Sequence, residues 1–388
     1  MGAAIEQVPG IKVAKEMGYN VAVIDYNPEA IGISLADKYY NVSTTDPEGV
    51  YKAAFDFHAD GFLTLATDLP MRAVSYACEK LGIQGISQYT ALLATDKGEM
   101  IKALKKAGVP SPWYYIINSE EELEQLKEKI AFPCILKPTD NAASRGVVII
   151  KSSNELKAAY YYSREESHSG QVILEEYMQG PEVSAEILTY EGVPHVLQIT
   201  DKITSGAPHF VEMGHNQPSQ LEDNTKKQIR DVACSAVKAL GIKTGPAHVE
   251  IIVTQDGPKI VELGARLGGD CITSHLVRLS TGIDMLKETV TVLCGGKPDL
   301  KQKWNHGASI RFLTSDKLGI FDHVEGEDSA RLMDGVVEIS NIMRFGDVIK
   351  SVRSSDDRVA YVICDGKDVS ESAKRVDQVK AKMKVIVK

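Results

Sequence analysis

Pro246-Ala247-His248-Val249-Glu250-Ile251-Ile252-Val253-Thr254 leads through Gln255-Asp256-Gly257 into Pro258-Lys259-Ile260-Val261-Glu262-Leu263-Gly264-Ala265-Arg266. Apolar, β-branched runs on either side of an Asp-Gly pair predict a β-hairpin. With the turn centred on Asp256, residues equally distant from it face each other, and Glu250 then stands opposite Glu262. Cross-strand neighbours have Cβ atoms about 5 Å apart. Like charges that close repel, so the pair needs a cation between them or a shared proton. A hard divalent ion, Mg²⁺ above all, takes one or two carboxylates together with phosphate oxygens. Strand parity adds His248, Gly264 and Arg266 to the same face. The competing reading is a solvated hairpin with two exposed glutamates, and a one-residue slip would separate them.

Upstream, Cys134-Ile135-Leu136-Lys137-Pro138 ends an apolar strand on a lysine, just before Thr139-Asp140-Asn141-Ala142-Ala143-Ser144-Arg145-Gly146. A small-residue loop lets backbone N–H groups approach phosphate oxygens, with the lysine as a point charge; an ordinary polar loop is the alternative. Val172 to Glu182 is a strand ending in Glu175-Glu176, a turn at Gly180-Pro181, and a further glutamate. Such a strand end can offer backbone hydrogen bonds to adenine and a carboxylate to a ribose, or be a solvated strand terminus. Asp68 follows a predicted strand, Phe62–Ala66, at the end where parallel sheets gather ligands, although a helix N-cap is an equal reading.

The rest of the chain sets bounds. Its 388 residues suggest about two or three domains. A net charge of −9 argues against a general nucleic-acid binder and a polybasic membrane-surface protein. No apolar run reaches the roughly 18 residues of a membrane span, and Met1-Gly2-Ala3-Ala4 does not begin a signal peptide. Six scattered cysteines without a CxxC pair predict reduced thiols in a cytoplasmic protein. Strand, helix, strand, helix over Asn20 to Leu81 predicts a parallel sheet, yet the apolar strand that usually precedes the first glycine turn is missing, since Met1 abuts Gly2. Residues 222–240 form the clearest amphipathic helix, closed by Gly241. GxGxxG and GxxxxGK[ST] are both absent, which excludes a dinucleotide fold and a P-loop.

Lys97, Lys137, the Ser144-Arg145-Gly146 loop, the Glu175-Glu176-Tyr177-Met178…Glu182 segment and the Glu250…Glu262…Arg266 hairpin occur in the order seen in ATP-grasp enzymes. The resemblance covers about residues 2 to 300 and is nearest the branch of L-amino-acid ligases, purine-pathway carboxylases and carbamoyl phosphate synthase. It implies an α/β ATP-grasp fold, with a Rossmann-like pre-ATP-grasp domain over 1–94, an ATP-grasp domain over 95–298 with its lid at about 113–170, and a small α+β domain over 299–388. It further implies that Lys97 and Lys137 bind ATP phosphates with the Ser144-Arg145-Gly146 loop, and that Glu175, Glu176, Tyr177 and Met178 frame the adenine. Glu182 then holds the ribose, Glu250 and Glu262 bind Mg²⁺ (Mn²⁺ as an alternative), and Arg266 steadies the transferred phosphate or acyl group. Glu212-x-x-His215 resembles the acid/histidine pair that L-amino-acid ligases keep near the γ-phosphate. Gly264 departs from the family's usual Asn, a third metal ligand. The activity implied is ATP-dependent joining of a small carboxylate to an amine through an acyl phosphate, releasing ADP and phosphate. Alternatives are a bicarbonate- or formate-activating relative, or a non-catalytic nucleotide-binding module. A homodimer is an expectation carried from relatives; no nucleic-acid or membrane partner is expected.

Overall fold

The computed structural model describes residues 1–141, 145–207 and 209–388. The chain opens with α1 (Val8–Glu16), β1 (Ala22–Asp25), β2 (Lys38–Asn41), α2 (Pro47–Phe57), α3 (Met71–Leu81), α4 (Gln88–Thr95) and α5 (Lys97–Lys106). β1 and β2 pair in parallel. Pro47 lies in the first turn of α2, and Gly82, left-handed at φ 69°, ends α3. The 62–66 segment, predicted as a strand, forms among the described residues only one bridge, Leu65 to Leu267, and Ala66 is left-handed at φ 66°. On the side of β1, Gly2 N–H donates to Ile24 O at 2.9 Å. Among the described residues, none before α1 lies in a strand.

Next comes an antiparallel sheet of order β3-β6-β4-β5, formed by β3 (Tyr114–Ile117), β4 (Cys134–Pro138), β5 (Val148–Ile150) and β6 (Val172–Glu176). Two helices, α6 (Glu120–Leu126) and α7 (Leu156–Glu165), connect its strands. Ser119 caps α6 by accepting from the Glu122 N–H. Ile117, Leu136, Tyr160 and Leu174 fill the core beneath.

An eight-stranded antiparallel sheet of order β11-β10-β7-β8-β9-β12-β16-β14 forms the body of the molecule. Its first part contains β7 (Glu182–Tyr190), β8 (Val193–Thr204), β9 (Glu212–Gln217), α8 (Asp223–Ala239), β10 (Gly245–Thr254) and β11 (Gly257–Gly264). After α9 (Val277–Thr281) and α10 (Met285–Leu293) come β12 (Gly307–Leu313), β13 (Gly319–Glu325), α11 (Glu327–Arg331), β14 (Val336–Asn341), β15 (Val348–Ile349), β16 (Ala360–Gly366), α12 (Val369–Lys380) and β17 (Lys384–Val387). After α12 the chain ends in β17, which pairs with β13. β9 was not assigned from sequence. All six cysteines are free. Among the described residues no helix is long and apolar enough to cross a membrane.

The two faces of the large sheet differ in chemistry. Val183, Ala185, Ile187, Ile199, Val249 and Leu263 pack against Ile229, Ala233, Ala236 and Val237 of α8. Alternation turns Glu182, Ser184, Glu186, Gln198, Thr200, His248 and Glu250 the other way. Ser184, Glu186 and Thr200 on that face are nonetheless fully buried. A buried polar face is stable only where its groups satisfy one another or hold a ligand.

Gly180, at φ 150°, lets the chain cross β10 before entering β7: a Cβ there would stand 1.9 Å from the Val253 carbonyl oxygen. Gly180→Ala is therefore expected to cost on the order of 2–4 kcal/mol, read as a lowered Tm, and to displace Glu182.

Candidate active site

The hairpin places its two glutamates as the spacing predicts, by a different local route. The connection is a two-residue turn, Gln255-Asp256, with Thr254 opposite Gly257. That register alone would set Val261 against Glu250 and turn Glu262 toward α8. A bulge intervenes, so Ile251 pairs with Ile260 while Glu250 pairs with Glu262. His248 faces Gly264, also as parity predicts.

Each glutamate has its own cation. Lys97 Nζ, at the start of α5, lies 2.8 Å from Glu262 Oε1 and 2.8 Å from the Asn141 carbonyl. Lys202 Nζ lies 3.2 Å from Glu250, 2.6 Å from Glu182 and 3.4 Å from Glu212, with 3% of its side chain exposed. Burial works against the Lys202 charge, yet Glu250, Glu182 and Glu212 hold its pKa well above the ordinary lysine value. Burial likewise opposes the charge on Glu250, but Lys202 and His248 hold its carboxyl well below the usual range. His248 sits between Glu186 (2.9 Å) and Glu250 (3.5 Å). Burial would lower its pKa, but Glu186 raises it to about 9. Lys202 is a functional candidate that the sequence reading passed over. A polar residue at every second position of 182–186 and of 198–202 was the available signal.

The strand pair β4/β6 carries the next group. Lys137 Nζ bonds Glu175 at 2.6 Å, both nearly inaccessible. Glu176 pairs with Lys259 on β11 at 2.9 Å, a partner not anticipated. Tyr177 and Met178 are half-buried and lie beyond the end of β6, outside any ladder. Arg145 is exposed and donates to Asn141, Gly146 is buried at φ 74°, and Ser144 lies outside the described residues.

Arg266 lies just past β11 and clasps Asp68 through Nε and Nη2, both at 3.1 Å. This geometry bears on Gly264, where an added Cβ would stand 2.4 Å from Asp68 Oδ1 and 3.0 Å from Arg266 Nε. The space an asparagine would fill is occupied by that ion pair. Glu212 and His215 are both on β9 but serve different neighbours. Glu212 meets Lys202 and accepts from Ser355 Oγ, whereas His215 Nε2 lies 3.0 Å from Asp270. Arg358 grips the same Asp270 through both terminal nitrogens, at 2.8 and 2.6 Å. Burial opposes ionisation of Asp270, but Arg358 and His215 hold its pKa far down.

Among the described residues no group of three or more His, Cys, Asp or Glu side chains is arranged to hold a metal. A magnesium site of the sparse kind, with one or two carboxylates and phosphate oxygens, needs no such group. Glu250 and Glu262, face to face, fit it in donor type, and the lysine that each one draws shows that the place favours positive charge.

Residues 130–274 match the family model described as the ATP-grasp domain, and residues 311–388 match L-amino acid ligase C-terminal domain 2. Over residues 130–274 the chain is thus similar to the ATP-grasp domain. It is similar to the alanine–anticapsin ligase of Bacillus subtilis (strain 168), at 28% identity over 76% of this chain and 66% of that protein. It is similar also to the uncharacterized protein y4rH of Sinorhizobium fredii, at 29% identity over 82% of this chain and 64% of that one. The chain thus spans just under two thirds of the length of these relatives. Its fold matches that of an L-amino acid ligase from Bacillus licheniformis, with TM-score 0.85, 22% identity and coverage of 100% and 97% of the two chains. A phosphoribosylglycinamide synthetase from Anaerococcus prevotii matches with TM-score 0.82, 24% identity and coverage of 100% and 98%.

Glu6 adds a titrating group beside Asp270. Burial first, then Asp270, raises its pKa from 4.5 to about 7. The folded chain then holds the Glu6 proton more tightly than the unfolded chain, so this group's contribution is complete below pH 4.5 and is lost as pH climbs to about 7. Glu6→Gln is expected to gain about 1–2 kcal/mol over the parent at pH 8, the partly exposed side chain limiting the effect. Thermal melts across pH should show the two proteins converging below pH 4.5.

Proposed function

We propose that this protein joins a small carboxylate to an amine at the expense of ATP, through an acyl phosphate. The observation that carries this reading is the facing pair Glu250 and Glu262, each held by a lysine from another element. A carboxylate is a poor acyl donor because its leaving group would be an oxide. Transfer of the γ-phosphoryl group gives it phosphate as leaving group, and an amine then attacks the carbonyl to form the amide. Phosphoryl transfer depends on positioning and on neutralising oxygens that carry negative charge.

In this reading Lys97 and Lys137 receive the phosphates, helped by the Ser144-Arg145-Gly146 loop. Glu175 fixes Lys137 in place, and the chain from Glu176 through Tyr177 to Met178 offers its backbone to the adenine. Glu182 turns to the ribose. Glu250 and Glu262 hold Mg²⁺, whose chemistry when bound is to neutralise phosphate oxygens. Arg266, kept in place by Asp68, faces the transferred group. Glu212, with His215 oriented by Asp270, lines the side where acid and amine meet. A closed site also keeps water from the acyl phosphate. The ligase names of the relatives support this choice over bicarbonate or formate activation.

Two results are expected. Amino acids, singly or in pairs, should stimulate ADP release, and bicarbonate should not; the reverse would favour the carboxylase reading. Glu262→Gln should lower Mg·ATP-dependent ADP release at least about a hundredfold while the melting curve stays cooperative. Unchanged turnover in that variant would remove the assignment.

A further inference from the structure

Glu212 and His215 both stand on β9, and one short segment far along the chain holds them both. Residues 353–358 lie in the connection between β15 and β16 and pass beside β9. Ser355 Oγ donates to Glu212 Oε2 at 2.9 Å, while Lys202 meets the other carboxylate oxygen at 3.4 Å. Arg358 donates from Nη1 to Asp270 Oδ2 and from Nη2 to Asp270 Oδ1. Nη1 also reaches the Glu212 carbonyl at 3.3 Å, and Nε bonds the Ser355 carbonyl at 2.9 Å. Asp270 Oδ2 in turn meets His215 Nε2 at 3.0 Å.

The segment is built to stay in place. Asp357 accepts from the Arg353 and Ser354 N–H groups, both at 2.9 Å. The buried Arg358 guanidinium lies 3.7 Å from the centre of the Phe312 ring, and His215 meets the same ring in a T-shaped contact. At the far end of the clasp, Asp270 and Cys271 are consecutive left-handed residues, at φ 54° and 59°. Such backbone persists only where its surroundings over-determine it, and it gathers at functional sites. An ionised carboxylate only accepts, so His215 Nε2 carries a proton. His215 Nδ1 is buried and has no hydrogen-bond partner among the described residues. The clasp thus decides which ring nitrogen is left unengaged.

We propose that Ser355 and Arg358 are positioning residues for the joining of acid and amine: Ser355 sets the Glu212 carboxylate, and Arg358, through Asp270, sets the His215 ring. The inference rests on the ligase reading above. It adds that the stretch matching L-amino acid ligase C-terminal domain 2 supplies the support for both side chains. Among the described residues neither Ser355 nor Arg358 bonds Lys97, Lys137, Glu250 or Glu262, so nucleotide binding does not depend on them. Lysine at 358 would keep the charge but not the planar fork, and could not hold two carboxylate oxygens and two backbone carbonyls together.

The test compares Arg358→Lys with the parent in amino-acid-stimulated ADP release and, without substrates, in the nitrogen-15 NMR signals of the His215 ring. The kcat is expected to fall about a hundredfold with the KM for ATP unchanged. The ring proton, on Nε2 in the parent, is expected to spread over both nitrogens. Ser355→Ala should lower kcat about tenfold, and Ser355→Thr, which keeps the hydroxyl, should restore it. A merely structural role would lower the Tm of Arg358→Lys and Ser355→Ala but leave kcat and the ring signals as in the parent, and that result overturns the proposal. If Arg358→Lys does not fold, the serine variants decide: parent-like kcat in Ser355→Ala overturns the proposal, and a loss restored by threonine supports it. A parent that releases no ADP in response to amino acids removes the ligase reading instead, and the ring signals still decide whether Arg358 sets His215.

Discussion

The interaction on which this structure turns is repulsion among carboxylates that the sheet forces together. Glu182, Glu212 and Glu250 converge from three strands onto one ammonium, and Glu262 is held beside them by another. Removing such groups from water is costly, and their attraction to a cation offsets that cost only where geometry is good. A chain selected for stability alone would fill the positions with apolar side chains, as it does on the α8 face. Keeping them charged makes sense where a polyvalent ligand is to be received.

The hairpin shows how local rules combine. The turn at Gln255-Asp256 sets one register, and the bulge after Glu250 shifts it. A simpler assumption about the turn leads to the same glutamate pair, because the off-centre turn and the extra residue compensate. Gly180 and Gly264 are where backbone or a distant side chain approaches too closely for a Cβ. Both mark contacts between segments remote in sequence.

Much of this was legible in the residues. The amphipathic stripe of α8 and the lysine near the end of β4 each depend on neighbours within a few positions. What escaped depends on distance along the chain. Lys202 closes a run of alternating polar residues, but its three acidic partners come from three other strands. Asp270 and Arg358 meet across 88 positions. β9 is short and polar, and so lacks the apolar alternation by which strands are recognised. The 62–66 segment has the composition of a strand but lacks the neighbour that would make it one.

The pair formed by Asp68 and Arg266 has a consequence for how this protein was assembled. This chain leaves position 264 without a side chain and fills the space from a residue near the start of the sequence. The opening segment thereby reaches the end of the hairpin and fixes the guanidinium there. Recombination that exchanged this segment would also exchange the partner that holds Arg266, so the two parts are constrained to evolve in step.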